Sequence, residues 1–282
     1  MSIRIVTDST SDVPESIAQQ HNITVIPAYV NIGDKSYIDG IEMSRQQFYT
    51  LLPTLSEVPT TSTPGVGMFT ELYEKLTQEG ADEIISIHLS STLSAMFNSA
   101  RLGAEEANEK GMHVTAVDSK QLSLGAGYMV IQAAKMAAQG HSVDEILAMI
   151  ESRKERTYII AALDTLEYLR RSGRVSRWQS SLGNMLQIKP LITVHQGELG
   201  LERARTRKGA WDRLFQIAET LGPYDHIAIM HTHSPERAAE LRQNIEQLFP
   251  NNPIEIMTEV TPIIGTHIGP HTVAVTLVQK HV

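Results

Sequence analysis

Residues 82–100 read DEIISIHLSSTLSAMFNSA, and this stretch decides the fold. Ile84, Ile85, Ile87 and Leu89 form a short apolar run of the kind a buried strand carries. Ser90, Ser91, Thr92 and Ser94 follow at once. Beyond them Ala95, Ala100, Ala104 and Ala107 recur among Glu, Asn and Arg in a helical pattern that ends near Gly111. The unit is therefore strand, hydroxyl loop, helix. A helix N-terminus leaves backbone N–H groups unpaired and carries positive dipole. The hydroxyls can cap that helix, or they can hold an anionic head such as a carboxylate or phosphate.

The rest of the chain repeats this alternation. Ile3 to Thr7 is a short strand running into Asp8-Ser9-Thr10-Ser11-Asp12, and Pro14 opens a helix. Acidic and hydroxyl side chains at a strand end suit the mouth of an α/β sheet, where ligands bind. Val25 to Ile32 reads as a strand, and Lys35 to Ile38 as its return after the Gly33-Asp34 turn. Ser44 with Gln47 forms a capping box. A second hydroxyl cluster, Thr60-Thr61-Ser62-Thr63, is held extended by Pro59 and Pro64 ahead of a helix over 66–78. His113 to Val117 is a strand, 124–139 a helix, and Ser142 with Glu145 caps another. Gly125-Ala126-Gly127 lacks the third glycine of a dinucleotide loop and reads as close helix packing.

At 282 residues two domains are expected, cut at the charged run 152–156: a doubly wound parallel domain over 1–155 and an α/β domain over 156–282. In the second, Asp164 precedes a helix that runs into Leu169-Arg170-Arg171-Ser172-Gly173-Arg174, the densest basic spot in the chain. That turn is either a charged helix C-terminus or an anion or partner contact. Residues 182–186 read as helical. A hairpin over 190–206, turning at His195 to Glu198, makes the second sheet mixed. The last strand is expected over 272–278.

Several function classes drop out. Net charge is −8 without a Lys/Arg cluster, which disfavours nucleic acid as the main partner. The chain has no cysteine, hence no disulfide scaffold, thiolate metal site or cysteine nucleophile. No apolar run approaches membrane-spanning length, so stable membrane insertion is not expected and the cytoplasm is the natural compartment. There is no GxSxG elbow, Walker loop, HExxH or EF-hand loop. His231 with His233, and His267 with His271, lack a patterned carboxylate, and no metal site is assigned. The residues alone indicate a two-domain α/β protein suited to a small anionic ligand.

Six motifs in this order and spacing are together specific: IRIVTDSTSDVP (3–14), PTTSTP (59–64), ISIHLSSTLSAMFNSA (85–100), LEYLRRSGRVS (166–176), IKPLITV with a following glycine (188–197) and GTHIGP (265–270). The chain resembles the DegV family, the fatty-acid-binding subunits of the bacterial fatty acid kinase system, over nearly its whole length. The resemblance implies a long-chain fatty acid clasped between the two domains, with no catalytic residue, cofactor or metal. It implies that Thr61, Ser62, Ser94, the backbone at Ala95, and His267 hold the carboxylate. Arg170 and Arg174 would lie near the head group and face a partner, an ATP-dependent kinase that makes acyl-phosphate for phospholipid synthesis. The chain departs from the family pattern in four places. Thr63 stands for a Gln, Ala95-Met96 for Gly-Thr, and His271 for a Gly. The rival expectation is a hydrolase or transferase acting on a small anionic substrate through Asp8, Asp118 and His267.

Overall fold

The structure is a computed structural model that describes residues 2–173 and 188–281. In chain order the strands are β1 (Ile3–Asp8), β2 (Ile23–Ile26), β3 (Tyr29–Ile32), β4 (Lys35–Ile38), β5 (Thr60–Ser62), β6 (Glu83–His88), β7 (Val114–Asp118), β8 (Thr157–Ala162), β9 (Lys189–His195), β10 (Glu198–Ala204), β11 (Tyr224–His231), β12 (Ile256–Glu259) and β13 (Val273–Gln279). The helices are α1 (Glu15–Gln20), α2 (Arg45–Leu51), α3 (Val66–Gln78), α4 (Met96–Glu109), α5 (Ser123–Ala138), α6 (Val143–Arg156), α7 (Glu167–Arg171), α8 (Arg207–Leu221), α9 (Pro235–Leu248) and α10 (Pro262–Ile268). Residues 174–187, and with them Arg174 and the expected 182–186 helix, lie outside the described residues.

The chain divides into two compact units, one of residues 1–29 and 62–155, the other of 30–61 and 156–282. The first holds a parallel sheet in the order β2-β1-β6-β7. Ile84, Ile85 and Ile87 are buried in its centre, as an all-parallel sheet covered by helices requires. Helices α3 and α4 pack on each other, and α5 packs on β1. A Cβ on Gly127 of α5 would lie 2.6 Å from the Ser11 carbonyl oxygen, so this glycine serves close packing. The strand expected over 25–32 is two strands instead. Pro27 has no N–H for a ladder, and Ala28 N–H donates to Ser9 Oγ at 3.2 Å beyond it.

The second unit holds a mixed sheet in the order β10-β9-β8-β13-β11-β12, antiparallel throughout except for the β11–β12 pair. The β9–β10 hairpin turns through Gln196 and Gly197, both with positive φ (49° and 79°), the backbone of a primed two-residue turn. Trp211, Leu214, Leu241 and Ile245 from α8 and α9 bury against Ile160, Ile229 and Leu277 of the sheet. Residues 30–61 sort with this unit through long-range contacts. Tyr49 O–H donates to the Val260 carbonyl at 3.0 Å, and Arg45 Nη1 donates to Thr258 Oγ1 at 3.1 Å and to the Glu259 carbonyl. Asp164 does not cap α7. Its carboxylate pairs with Lys189 Nζ at 2.9 Å, and Thr165 Oγ1 accepts from the Glu167 N–H at 3.1 Å. The carboxylate pKa is lowered: burial pushes it up, and the Lys189 contact with the Arg237 and His271 charges outweighs that.

Candidate functional site

Within the second unit, extended backbone at Thr60 and Thr61 and the short helix α10 bring two of the expected residues together. Thr61 Oγ1 and His267 Nε2 are hydrogen-bonded at 3.2 Å, 206 residues apart in sequence. Both side chains are half-buried. The pair offers a hydroxyl and a ring nitrogen at one point, which is the donor chemistry a carboxylate recognises. Thr261 caps α10 by accepting from Ile263 N–H at 3.2 Å, Pro262 opens it, and Gly269 at φ 73° closes it. His271, where the family pattern has glycine, keeps a left-handed φ of 64°. Three contacts hold it there. Its N–H donates to the Thr232 carbonyl at 2.8 Å, its carbonyl accepts from Arg237, and its Nδ1 lies 3.1 Å from Ser234 Oγ.

Within the first unit, most of the hydroxyls after β6 serve their own loop. Ser90 Oγ pairs with Thr92 Oγ1 at 3.0 Å. Ser91 Oγ donates to Asp118 Oδ2 at 2.5 Å, and Lys120 pairs with the same carboxylate at 2.9 Å. Burial pushes the Asp118 pKa up, but Ser91 and Lys120 more than offset it and hold the group below its ordinary value. Ser94 Oγ accepts from Met96 N–H at 3.2 Å, so it caps α4 while its own O–H remains a donor. Ala95 sits at φ −75° and ψ −4°, a right-handed conformation that does not require glycine. Met96 turns into the core, nearly fully buried. Ser62 and Ala95 are exposed, and Ser94 is half-exposed.

Asp8 of the rival reading is fully buried and occupied. His88 Nδ1 lies 2.9 Å from Oδ2, the Leu89 N–H donates to the same oxygen at 3.2 Å, and Thr10 N–H donates to Oδ1 at 3.0 Å. Burial raises the Asp8 carboxyl, yet His88, Thr10 and Leu89 together bring its pKa below the ordinary value. The chain of contacts continues from His88 Nε2 to Ser86 Oγ at 2.6 Å, and Tyr73 O–H donates to that serine at 2.9 Å. Serine, histidine and aspartate thus meet in the order of a hydrolase triad, but all are fully buried in the core. They hold strand ends in place. The sequence reading did not find this network. The available signal was the polar Ser86 and His88 alternating inside the apolar run of β6.

Arg170 and Arg171 are exposed in the last turn of α7, and Gly173 follows at φ 73°, the charged helix C-terminus of one of the two readings. His233 lies beyond the end of β11, so it does not share a strand face with His231. Its Nδ1 is 3.7 Å from Glu259. Among the described residues no group of three or more His, Cys, Asp or Glu is arranged to hold a metal, and no helix is long and apolar enough to cross a membrane.

The chain is 35% identical over 282 residues to a DegV domain-containing protein of Streptomyces coelicolor, SCO2569, covering 99% of both. It is 34% identical over 271 residues to one of Listeria innocua, lin2658, covering 95% of both. Among solved structures it superposes with a TM-score of 0.89 on DegV from Bacillus subtilis, described as a fatty acid binding protein, at 30% identity over 99% of this chain and all of that one. It superposes at 0.87 on a DegV family protein from Thermus thermophilus solved for its fatty acid binding, also at 30% identity and with the same coverage. The family profile described as "Uncharacterised protein, DegV family" matches residues 2–280, and the chain belongs to the DegV family.

Proposed function

We propose that this protein binds one long-chain fatty acid and presents its carboxylate to a separate ATP-dependent kinase, which forms the acyl-phosphate. The protein itself is a carrier without catalytic residues, cofactor or metal. The observation that carries the reading is the Thr61–His267 pair. A hydroxyl and an imidazole, drawn together from positions 206 residues apart and half-buried, offer two hydrogen-bonding groups to a single carboxylate. The fatty-acid-binding relatives at 30% identity support it. Ser94 and the first-turn backbone at Ala95, with Ser62, are the remaining candidates for the same head group. Few polar groups suffice: at about 0.8 kcal/mol per buried CH₂, a chain of about fifteen carbons gains on the order of 10 kcal/mol before ordering costs. Arg170 is the candidate kinase contact. Arg174 is the second, by the resemblance alone. The rival enzyme reading loses Asp8 and Asp118 to loop-holding hydrogen bonds.

Native mass spectrometry of the protein purified from cells, followed by solvent extraction and lipid analysis, tests the proposal. One fatty acid per chain is the expected result. A lipid-free protein that also refuses added oleate and palmitate would overturn it.

A further inference from the structure

Helix α10 carries His267 between two glycines one turn apart, and a tyrosine ring takes the place of each missing side chain. A Cβ on Gly265 would lie 2.8 Å from Cε1 and Cζ of Tyr49, and a Cβ on Gly269 would lie 2.9 Å from Cγ of Tyr168, with other ring atoms nearer still. Glycine inside a helix weakens it relative to alanine, and seven residues are too few to be stable alone. The close ring contact accounts for Gly265 inside the helix, whereas Gly269, which closes it at φ 73°, is called for by its backbone as well as by the Tyr168 ring. Tyr49 is itself fixed. It is fully buried, its O–H donates to the Val260 carbonyl at 3.0 Å, and its ring packs edge-on to Phe48 at 5.2 Å. Tyr168 comes from α7, which packs on α10 as α2 does. At 3.6 residues per turn, His267 lies about 200° around the helix from Gly265, away from the bedded face.

We infer that Tyr49 and Tyr168 are the positioning residues of the head-group site: the two rings seat α10 so that His267 Nε2 is held at Thr61 Oγ1. This rests on the reading that Thr61 and His267 take the carboxylate. Neither tyrosine need touch the ligand. Tyr168 also lies two residues before Arg170 on the same helix, so the helix that bears the basic turn is the one that beds the histidine.

Tyr168 is the residue to test, because Tyr49 is part of the core. The probes are oleate and oleyl alcohol, which share a tail and differ in the carboxylate. Tyr168→Ala is expected to weaken oleate binding about tenfold, the loss of roughly one charge-assisted hydrogen bond, and to leave oleyl alcohol within about twofold. Tyr168→Phe keeps the ring and restores oleate affinity. Combined with His267→Ala, Tyr168→Ala adds no further loss. Tyr168→Leu replaces the alanine variant if the latter does not fold. Equal oleate affinity for Tyr168→Ala and wild type, additive losses in the double variant, or an equal loss for oleyl alcohol would each overturn the positioning role. If His267→Ala alone leaves oleate affinity unchanged, the head-group reading falls, and this inference with it. A normal loss for His267→Ala with none for Tyr168→Ala removes only the inference.

Discussion

Asp8 and His88 meet at 2.9 Å inside the first unit, both fully buried, at the C-terminal ends of neighbouring parallel strands. The contact ties the loop after β1 to the loop after β6, since the same carboxylate accepts from Thr10 and Leu89. The hydroxyl loop that carries Ser94 thus starts from a fixed strand end.

The pair sets a pH dependence. Asp8 has a folded pKa below its ordinary value. A carboxylate of this kind stabilises the fold above its unfolded pKa, about 3.9, and that contribution is lost as pH falls through the folded value. Urea denaturation of the wild type is expected to show stability dropping below about pH 4, with a flatter acid limb for Asp8→Ala. At pH 7 the variant should be about 1–3 kcal/mol less stable, because the His88 ring and the Thr10 and Leu89 N–H groups lose the buried carboxylate they meet. Parallel acid limbs for the two proteins would show that the pair does not carry the effect.

Gly127 is a packing position. Alanine there meets the Ser11 backbone carbonyl, which cannot rotate away as a side chain could. Gly127→Ala should destabilise the protein by about 1–3 kcal/mol, as overpacked cores do. A thermal melt reads this directly, and an unchanged melting temperature would mean that α5 shifts at no cost.

Ser94→Ala separates two roles. The serine accepts from Met96 N–H, so its loss removes a helix cap, about 1 kcal/mol. Its hydroxyl donor is the part proposed for the carboxylate. Oleate retention is expected to fall more than the small stability loss accounts for, while oleyl alcohol binding stays close to wild type. Full lipid occupancy in the purified variant would assign Ser94 to capping alone.

The alternation of strands and helices was legible because its signals are local: the apolar run of β6, the capping boxes at Ser44 and Ser142, the prolines around Thr60–Thr63. Contacts distant in sequence were not. Nothing near Tyr49 announces that its hydroxyl reaches Val260, 211 residues on, and so 30–61 read as part of the first domain although it sorts with the second unit. Asp164 looked like a cap because Asp before a helix usually is one, and its true partner Lys189 lies 25 residues away. Thr61 and His267 entered through family resemblance. Residue type alone shows a hydroxyl and an imidazole, and only the fold brings them to 3.2 Å.

Arg170 is exposed in the last turn of α7, and Arg171 beside it pairs with Glu167 at 3.3 Å. An exposed cation contributes more to steering a charged partner than to the affinity of a ligand held at a half-buried pair such as Thr61 and His267. Arg170→Glu reverses the charge without touching the Thr61–His267 pair. If the proposed kinase partnership holds, oleate binding is expected to stay within about twofold of wild type, whereas phosphorylation by an added fatty acid kinase slows about tenfold or more at low salt. The difference should narrow as ionic strength rises, because charges beyond a Debye length, about 8 Å at physiological salt, are screened. Initial rates at two salt concentrations, with oleate saturating, decide it. Equal rates for variant and wild type at low salt would take Arg170 off the kinase surface. A slowing that salt does not relieve would point to a contact within the head-group site instead.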